Sequence, residues 1–237
     1  LALSKGLEDW LCILILCFPF LAAAGFTGLI LAPIIKKRKS KKMYSILLLP
    51  LLLNPIESYF PNHKEYYTVE TALEIAANQQ TVWNNLIEVP AISDDEFEAG
   101  ILNFIGVPRP IKSKMETVDG QEYRIGYFSD DLKLYETISQ IEPLNYLEFE
   151  IHIDKSELRN LPTDNHLLNS DYFHFEHISY RLIKTNVGST ELTLKCDYNL
   201  NSKMNGYANF WAEQIIRDFE VRLLNSLKLK IEKQAVI

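Results

Sequence analysis

The chain has 237 residues, and its 24 Lys and Arg against 31 Asp and Glu give a formal charge of −7 and a pI near 5.3, which argues against a nucleic-acid partner held through its phosphates. An apolar content of 47% excludes a disordered chain. Three cysteines, two of them in one apolar run, supply neither a disulfide framework nor a paired-thiol zinc site.

The charge is unevenly spread. Residues 1–56 hold seven basic groups and two acids, a sum of +5, which leaves 17 basic and 29 acidic groups, or −12, on the remainder. A basic, apolar head is joined to an acidic body long enough for one domain with its own core. From Trp10 to Ile35 no charge interrupts 26 residues, ~39 Å of helix at ~1.5 Å per residue, enough to cross a hydrocarbon layer of ~30 Å with tilt. A transmembrane helix is expected here. A cleaved signal peptide is the alternative, but it would carry a shorter apolar region behind a basic start, and Glu8 and Asp9 stand there instead.

Lys36 to Lys42 then sets six positive charges in seven residues beside the apolar run, which the positive-inside bias assigns to the cytoplasm. Met43 to Ile56 is short for a span, contains two prolines, and suits a re-entrant or interfacial segment as well as a crossing that ends on Tyr59 and Phe60. A second crossing puts the acidic body on the extracytoplasmic side. The expected organisation is a membrane anchor over 1–60 with one or two transmembrane helices (helix about 10–35, basic loop 36–42, apolar segment 43–60), a linker over 61–65 and a folded domain over 66–237.

In the body, Val69, Thr71, Leu73 and Ile75 alternate with Thr68, Glu70, Ala72 and Glu74, the period-two pattern of a half-buried strand. Asn78 to Thr81 opens a short helix carrying Val82, Trp83, Leu86 and Ile87, which ends before Pro90. After Pro110 six strands are expected at 111–118, 121–128, 133–141, 146–153, 173–185 and 190–200. They are divided by turn-like pieces such as Asp119-Gly120 and Glu142-Pro143-Leu144-Asn145. Between Phe173-Phe175 and Ile178-Tyr180-Leu182 the apolar phase switches, which predicts a bulge near Glu176 and His177.

Tyr207 to Lys233 reads as one long amphipathic helix. Ala208, Trp211, Ala212, Ile215, Phe219, Leu223 and Leu227 form its apolar stripe, and Glu213, Arg217, Glu220 and Lys228 are assigned outside it.

This order of elements, with Thr68-Val69-Glu70-Thr71, Gln80-Thr81-Val82-Trp83-Asn84-Asn85-Leu86 and the stretch from Tyr135 to Phe149 that contains Ile141-Glu142-Pro143-Leu144-Asn145-Tyr146-Leu147-Glu148-Phe149, resembles the START-like SRPBCC superfamily, which includes polyketide cyclase/dehydrase-like proteins. The resemblance covers about residues 66–234 and extends to a bacterial subgroup with N-terminal membrane helices. It implies an α+β helix-grip fold, a seven-stranded antiparallel curved sheet around the C-terminal helix, with a pocket for hydrophobic ligands. A bacterial inner membrane is the location this implies.

A single long helix against a strongly curved sheet leaves a hollow that side chains alone do not fill. The candidate ligand-binding residues are Tyr123, Tyr127, Phe149, Cys196 and Tyr198 from the strands and Trp211, Ile215 and Phe219 from the helix. Ile125, Leu147, Ile151, Leu192 and Leu194 are further lining candidates. Alternation alone specifies burial, so packing of a solid core is the competing account for each.

Glu136 shares a strand phase with Leu134 and Ile138; turned inward, it would be desolvated and fit for acid–base work, although the opposite phase is also half apolar. His174 and His177, three apart in a strand, are expected on opposite faces, which leaves no metal pair, and His177 is a pocket candidate only through the bulge. No phosphate-binding glycine loop, nucleophile elbow, H-E-x-x-H or C-x-x-C motif is present. Neither a cofactor nor a metal is expected. Two functions stay open: a membrane-anchored binding module for a hydrophobic or lipid-like molecule, with the membrane and that molecule as partners, and a cyclase/dehydratase- or hydrolase-type enzyme using Glu136.

Overall fold

The structure, a computed structural model, describes residues 10–35, 61–185 and 188–235. Its elements are α1 (Trp10–Ile35), β1 (His63–Ile75), α2 (Gln79–Trp83), α3 (Ile101–Phe104), β2 (Pro110–Val118), β3 (Gln121–Phe128), β4 (Lys133–Glu142), β5 (Tyr146–Glu157), α4 (Pro162–Leu167), β6 (Phe173–Lys184), β7 (Thr190–Ser202) and α5 (Asn205–Ala235). The expected basic loop and the apolar segment that follows it lie outside the described residues, as does most of the expected anchor beyond α1. β1 begins at His63, inside the stretch expected to be linker: its residues pair one for one with β7 from His63 opposite Ser202 onward, so the chain is already in the sheet there.

Seven strands form one antiparallel sheet in the order β1-β7-β6-β5-β4-β3-β2. Successive strands from β2 to β7 are neighbours, and only β1 returns from the far end to flank β7. The tight turns have local causes. Asp119 and Gly120 both take positive φ (54° and 82°), the backbone a two-residue hairpin turn requires, and Gly adopts it without a Cβ penalty. Asn78 caps α2 by accepting the Thr81 amide at 2.9 Å. The register of β6 on β7 shifts between Phe175 and His177, the bulge expected from the phase switch. Because of it, His174 and His177 are both exposed on the outer side, a correction to the opposite faces expected from an unbroken strand.

α5 lies across β1 and β7, and its two halves do different things. The C-terminal half drives Leu224, Leu227 and Ile231, all fully buried, into a core with Ile75, Val82, Leu86, Leu147 and Leu192. The N-terminal half, with Ala208, Ala212 and Ile216, faces a second cluster around Val69, Cys196, Tyr198 and Leu200. The grip is thus filled solid at one end. This is the α+β helix-grip arrangement, read from the chain's own topology.

α1 is a helix of 26 residues whose start packs on the body: Leu11 is buried, the edge of the Phe18 ring meets Trp211 at 5.5 Å between centroids, and the Tyr207 hydroxyl donates to the Ile15 carbonyl. Farther along, Phe20, Leu21, Phe26 and Leu29 are exposed. Among the described residues no helix is long and apolar enough to cross a membrane.

Candidate functional site: a cavity under the C-terminal helix

Beneath the N-terminal half of α5 lies a cavity of about 360 Å³, within the range of small-molecule sites. Its walls are mostly apolar: Leu134 and Ile151 from the middle strands, Phe173, Phe175 and Ile178 from β6, Leu194, Cys196 and Leu200 from β7, and Trp211, Ile215, Ile216 and Phe219 from α5. Across one end the Phe128 and Phe219 rings approach to 5.9 Å. α3 leads into the lining residues Gly106 and Val107, α4 contributes Thr163, Asp164 and Leu167, and α1 adds Leu11 and Ile15. α1 therefore forms part of the wall.

Of the expected ligand-binding residues, Tyr127, Cys196, Trp211, Ile215 and Phe219 line this cavity, and Tyr123, Phe149 and Tyr198 do not. Over Tyr123 to Gly126 the β3 phase is the reverse of that expected, and only near the strand's end does Tyr127 also reach the wall. Arg124, Gly126 and Phe128 face inward, while Tyr123 joins Tyr135 and His152 in an aromatic cluster with centroids 5.6 and 5.9 Å away. Phe149 is fully buried in the core, with the Arg124 guanidinium 4.4 Å over its ring. Tyr198 stacks on Tyr67 and Phe173, and its hydroxyl donates to Asn209 Oδ1 at 2.7 Å. Ile125, Leu147 and Leu192 pack without reaching the cavity, whereas Ile151 and Leu194 reach it.

Glu136 does face inward. It stands opposite Arg124 across the β3–β4 pairing, and the Arg124 Nη1 group donates to its Oε2. Gly126 leaves it room: a Cβ there would meet the Phe128 ring at 3.1 Å and Glu136 Oε1 at 3.4 Å. Arg124 is otherwise satisfied by the carbonyls of Ile87, at 2.8 Å, and Leu86, at 3.2 Å. Burial pushes the Glu136 carboxyl above the ordinary carboxylate range, and the guanidinium works against that shift.

Neither partner expected for Glu136 stands beside it. The Tyr127 hydroxyl donates to Glu116 at 2.5 Å, which together with burial pushes its own pKa up to about 12, and His177 is an exposed side chain 3.7 Å from Glu148 that does not line the cavity. A second buried pair, Arg159 with Asp164, closes the α4 side; Arg159 Nη2 reaches Asp164 Oδ1 at 2.6 Å and Nη1 reaches the Gly106 carbonyl at 2.8 Å.

Sequence reasoning placed Glu220 on the outer side of α5, and the structure corrects this. It is 1% exposed, lines the cavity, and accepts the Thr71 hydroxyl on Oε2 at 2.7 Å. Burial pushes its carboxyl up to about 7, against the Thr71 hydrogen bond and the Arg217 charge. The signal was present in spacing: Ile216, Glu220 and Leu224 are four apart, a second rail beside the stripe that was counted. Cys196 lies nearby, its thiol pushed up by burial. Among the described residues no group of three or more His, Cys, Asp or Glu is placed to hold a metal ion.

Fold and cavity together define a helix-grip protein with an apolar chamber. No protein-family model matches the chain, and no curated protein sequence matches it. Solved structures that it resembles include norcoclaurine synthase from Thalictrum flavum in complex with dopamine and hydroxybenzaldehyde, at 9% identity over 83% of this chain and 97% of that one with a TM-score of 0.45. An aromatase/cyclase from a Streptomyces species is similar at 15% identity over 72% of this chain and 96% of that one, TM-score 0.44. A START superfamily protein from Mycobacterium smegmatis follows at 10% identity over 70% and 98%, TM-score 0.38. At these identities and TM-scores each is a likeness alone, and nothing about ligand or reaction follows from it.

Proposed function

We propose that this chain is a membrane-anchored binding module that takes a hydrophobic or lipid-like molecule into the cavity beneath α5. The observation that carries the reading is the chamber itself: about 360 Å³ with mostly apolar walls, to which α1 contributes Leu11 and Ile15. The uncharged 26-residue run from Trp10 to Ile35 motivates the anchor, and its seat on the wall would put the chamber next to the lipid from which a ligand would come. The exposed Ile101 and Phe104 on α3, and Met204 and Phe210 around the start of α5, belong to elements that border the chamber and would rest at the lipid surface. The six positive charges after Ile35 favour a cytoplasmic basic loop, and a crossing by residues 43–60 would then hold the body on the extracytoplasmic side of a bacterial inner membrane.

Glu136 motivates the enzymatic alternative, since it is a buried carboxyl on the chamber wall. With Arg124 in contact, and with the nearby Tyr180 hydroxyl turned to that same guanidinium, we assign it the part of counter-ion. Native mass spectrometry of the full chain released from lipid nanodiscs tests the binding reading: a co-released lipid or apolar molecule is expected. A bare chain that also excludes the apolar dye N-phenyl-1-naphthylamine would overturn it.

A further inference from the structure

Two buried ion pairs stand on the chamber wall, and Lys112, the remaining cation among its lining residues, lies over the Tyr127 ring. Arg124 and Glu136 hold each other, Arg159 and Asp164 hold each other, and both guanidinium groups also donate to backbone carbonyls. The buried side-chain polar atoms without a hydrogen-bond partner, among the described residues, are Asn199 Oδ1, Trp211 Nε1 and Glu220 Oε1. Of these residues only Trp211 and Glu220 line the cavity, and only Glu220 is also almost wholly inaccessible to solvent. An unpartnered oxygen in an apolar chamber is costly, and a ligand group that reaches it relieves that cost.

We propose that the chamber binds an amphiphile with an apolar tail and a hydroxyl group, and that this hydroxyl hydrogen-bonds to Glu220 Oε1. The inference rests on the reading of the cavity as a ligand chamber and adds the polar end of the ligand. A hydroxyl fits because it serves both protonation states of the acid: it donates to a carboxylate and accepts from a carboxyl. A carboxylate ligand would set a second negative charge against Glu220, and of the lining cations Arg124 and Arg159 are taken while Lys112 stands on the edge strand β2 over the Tyr127 ring, 4.6 Å from its centroid. The groups facing Glu220 are Thr71 and Glu70 from β1, Cys196 from β7, Tyr180 from β6 and Arg217 on α5 itself, and Thr71 is already committed to Oε2.

The test uses the full chain in nanodiscs, with dodecanol, dodecane, dodecyl methyl ether and dodecanoate each displacing N-phenyl-1-naphthylamine. Partition into the disc cancels when each ligand is compared between variants. Wild type is expected to bind dodecanol at least about tenfold more tightly than Glu220→Leu does, the size of one buried hydrogen bond, while dodecane binds both alike. Glu220→Gln keeps the dodecanol affinity within about threefold, since the amide retains an acceptor. Should Glu220→Leu fail to fold, wild type alone decides: at pH 8 the ether, which cannot donate, binds about tenfold less tightly than the alcohol, and the gap narrows at pH 6 as the acid gains a proton to donate. Equal binding of alcohol and ether at both pH values, a dodecanol affinity untouched in Glu220→Leu, or a preference for dodecanoate overturns the inference and leaves the chamber standing. Failure of all four compounds and of the dye to bind overturns the chamber reading itself.

Discussion

Glu220 makes folding stability depend on pH in a direction opposite to that of most carboxylates. Its folded value of about 7 stands above the ordinary 4.5 because the fold removes it from water, and Thr71 and Arg217 recover only part of that. A group that binds its proton more tightly when folded adds stability below its unfolded value and loses it as pH rises through the folded one. Between about pH 4.5 and 7, unfolding free energy should therefore fall on this group's account. The difference of about 2.5 pH units corresponds to about 3 kcal/mol, and to about 2 kcal/mol where water near the carboxyl offsets part of its desolvation.

Glu220→Gln removes the titration while keeping the shape of the protonated acid. Urea unfolding of the full chain in nanodiscs, followed by tryptophan fluorescence, should give the variant and wild type nearly equal stability at pH 5, with the variant about 2–3 kcal/mol more stable at pH 8. Asp95, held near 2 by Ser93 and Lys233, and the lowered Glu96 act at more acid pH and are common to both proteins, so they cancel in the comparison. Parallel curves across that range would refute the burial argument.

Glu136→Gln should strand the Arg124 charge in the interior and cost about 3–5 kcal/mol in urea unfolding, whereas Arg124→Met with Glu136→Leu should recover most of it; a single variant as stable as wild type would remove Arg124 and Glu136 as a structural pair. Ile215→Trp adds bulk inside the chamber: with a hollow there, dye binding should fall about tenfold or more with little loss of stability, whereas overpacking of a solid core would cost about 1–3 kcal/mol. Ile101→Ser with Phe104→Ser should leave stability within about 0.5 kcal/mol, because both side chains are exposed, yet slow uptake of a fluorescent lipid from donor vesicles several-fold; an unchanged uptake rate would detach α3 from the bilayer.

What the sequence discloses depends on how many neighbours each pattern must satisfy. β1 and β6 declare their inner faces by alternation, and the slip in that alternation at Glu176 located the bulge, because a period of two has no slack. β3 misled for a definite reason. Its Tyr123 and Ile125 are apolar because the outer face carries its own aromatic cluster, while the inner face is occupied by an Arg that is tolerable only opposite Glu136. That pairing crosses a hairpin and becomes visible only when the register is known.

α5 presents the more general case. A helix resting on a flat surface shows one narrow apolar stripe, and a polar residue beside that stripe is safely assigned to solvent. A helix held inside a curved sheet is covered over a wider arc. Here the buried set takes in Glu220, Leu224 and Ile231 beside the expected Leu223 and Leu227, a band wider than the stripe read from the spacing. The width of the band, rather than the residues in its centre, indicates how far the sheet wraps the helix. A carboxylate inside a band of that width is a buried acid that needs a partner, and Glu220 has a protein partner for only one of its two oxygens.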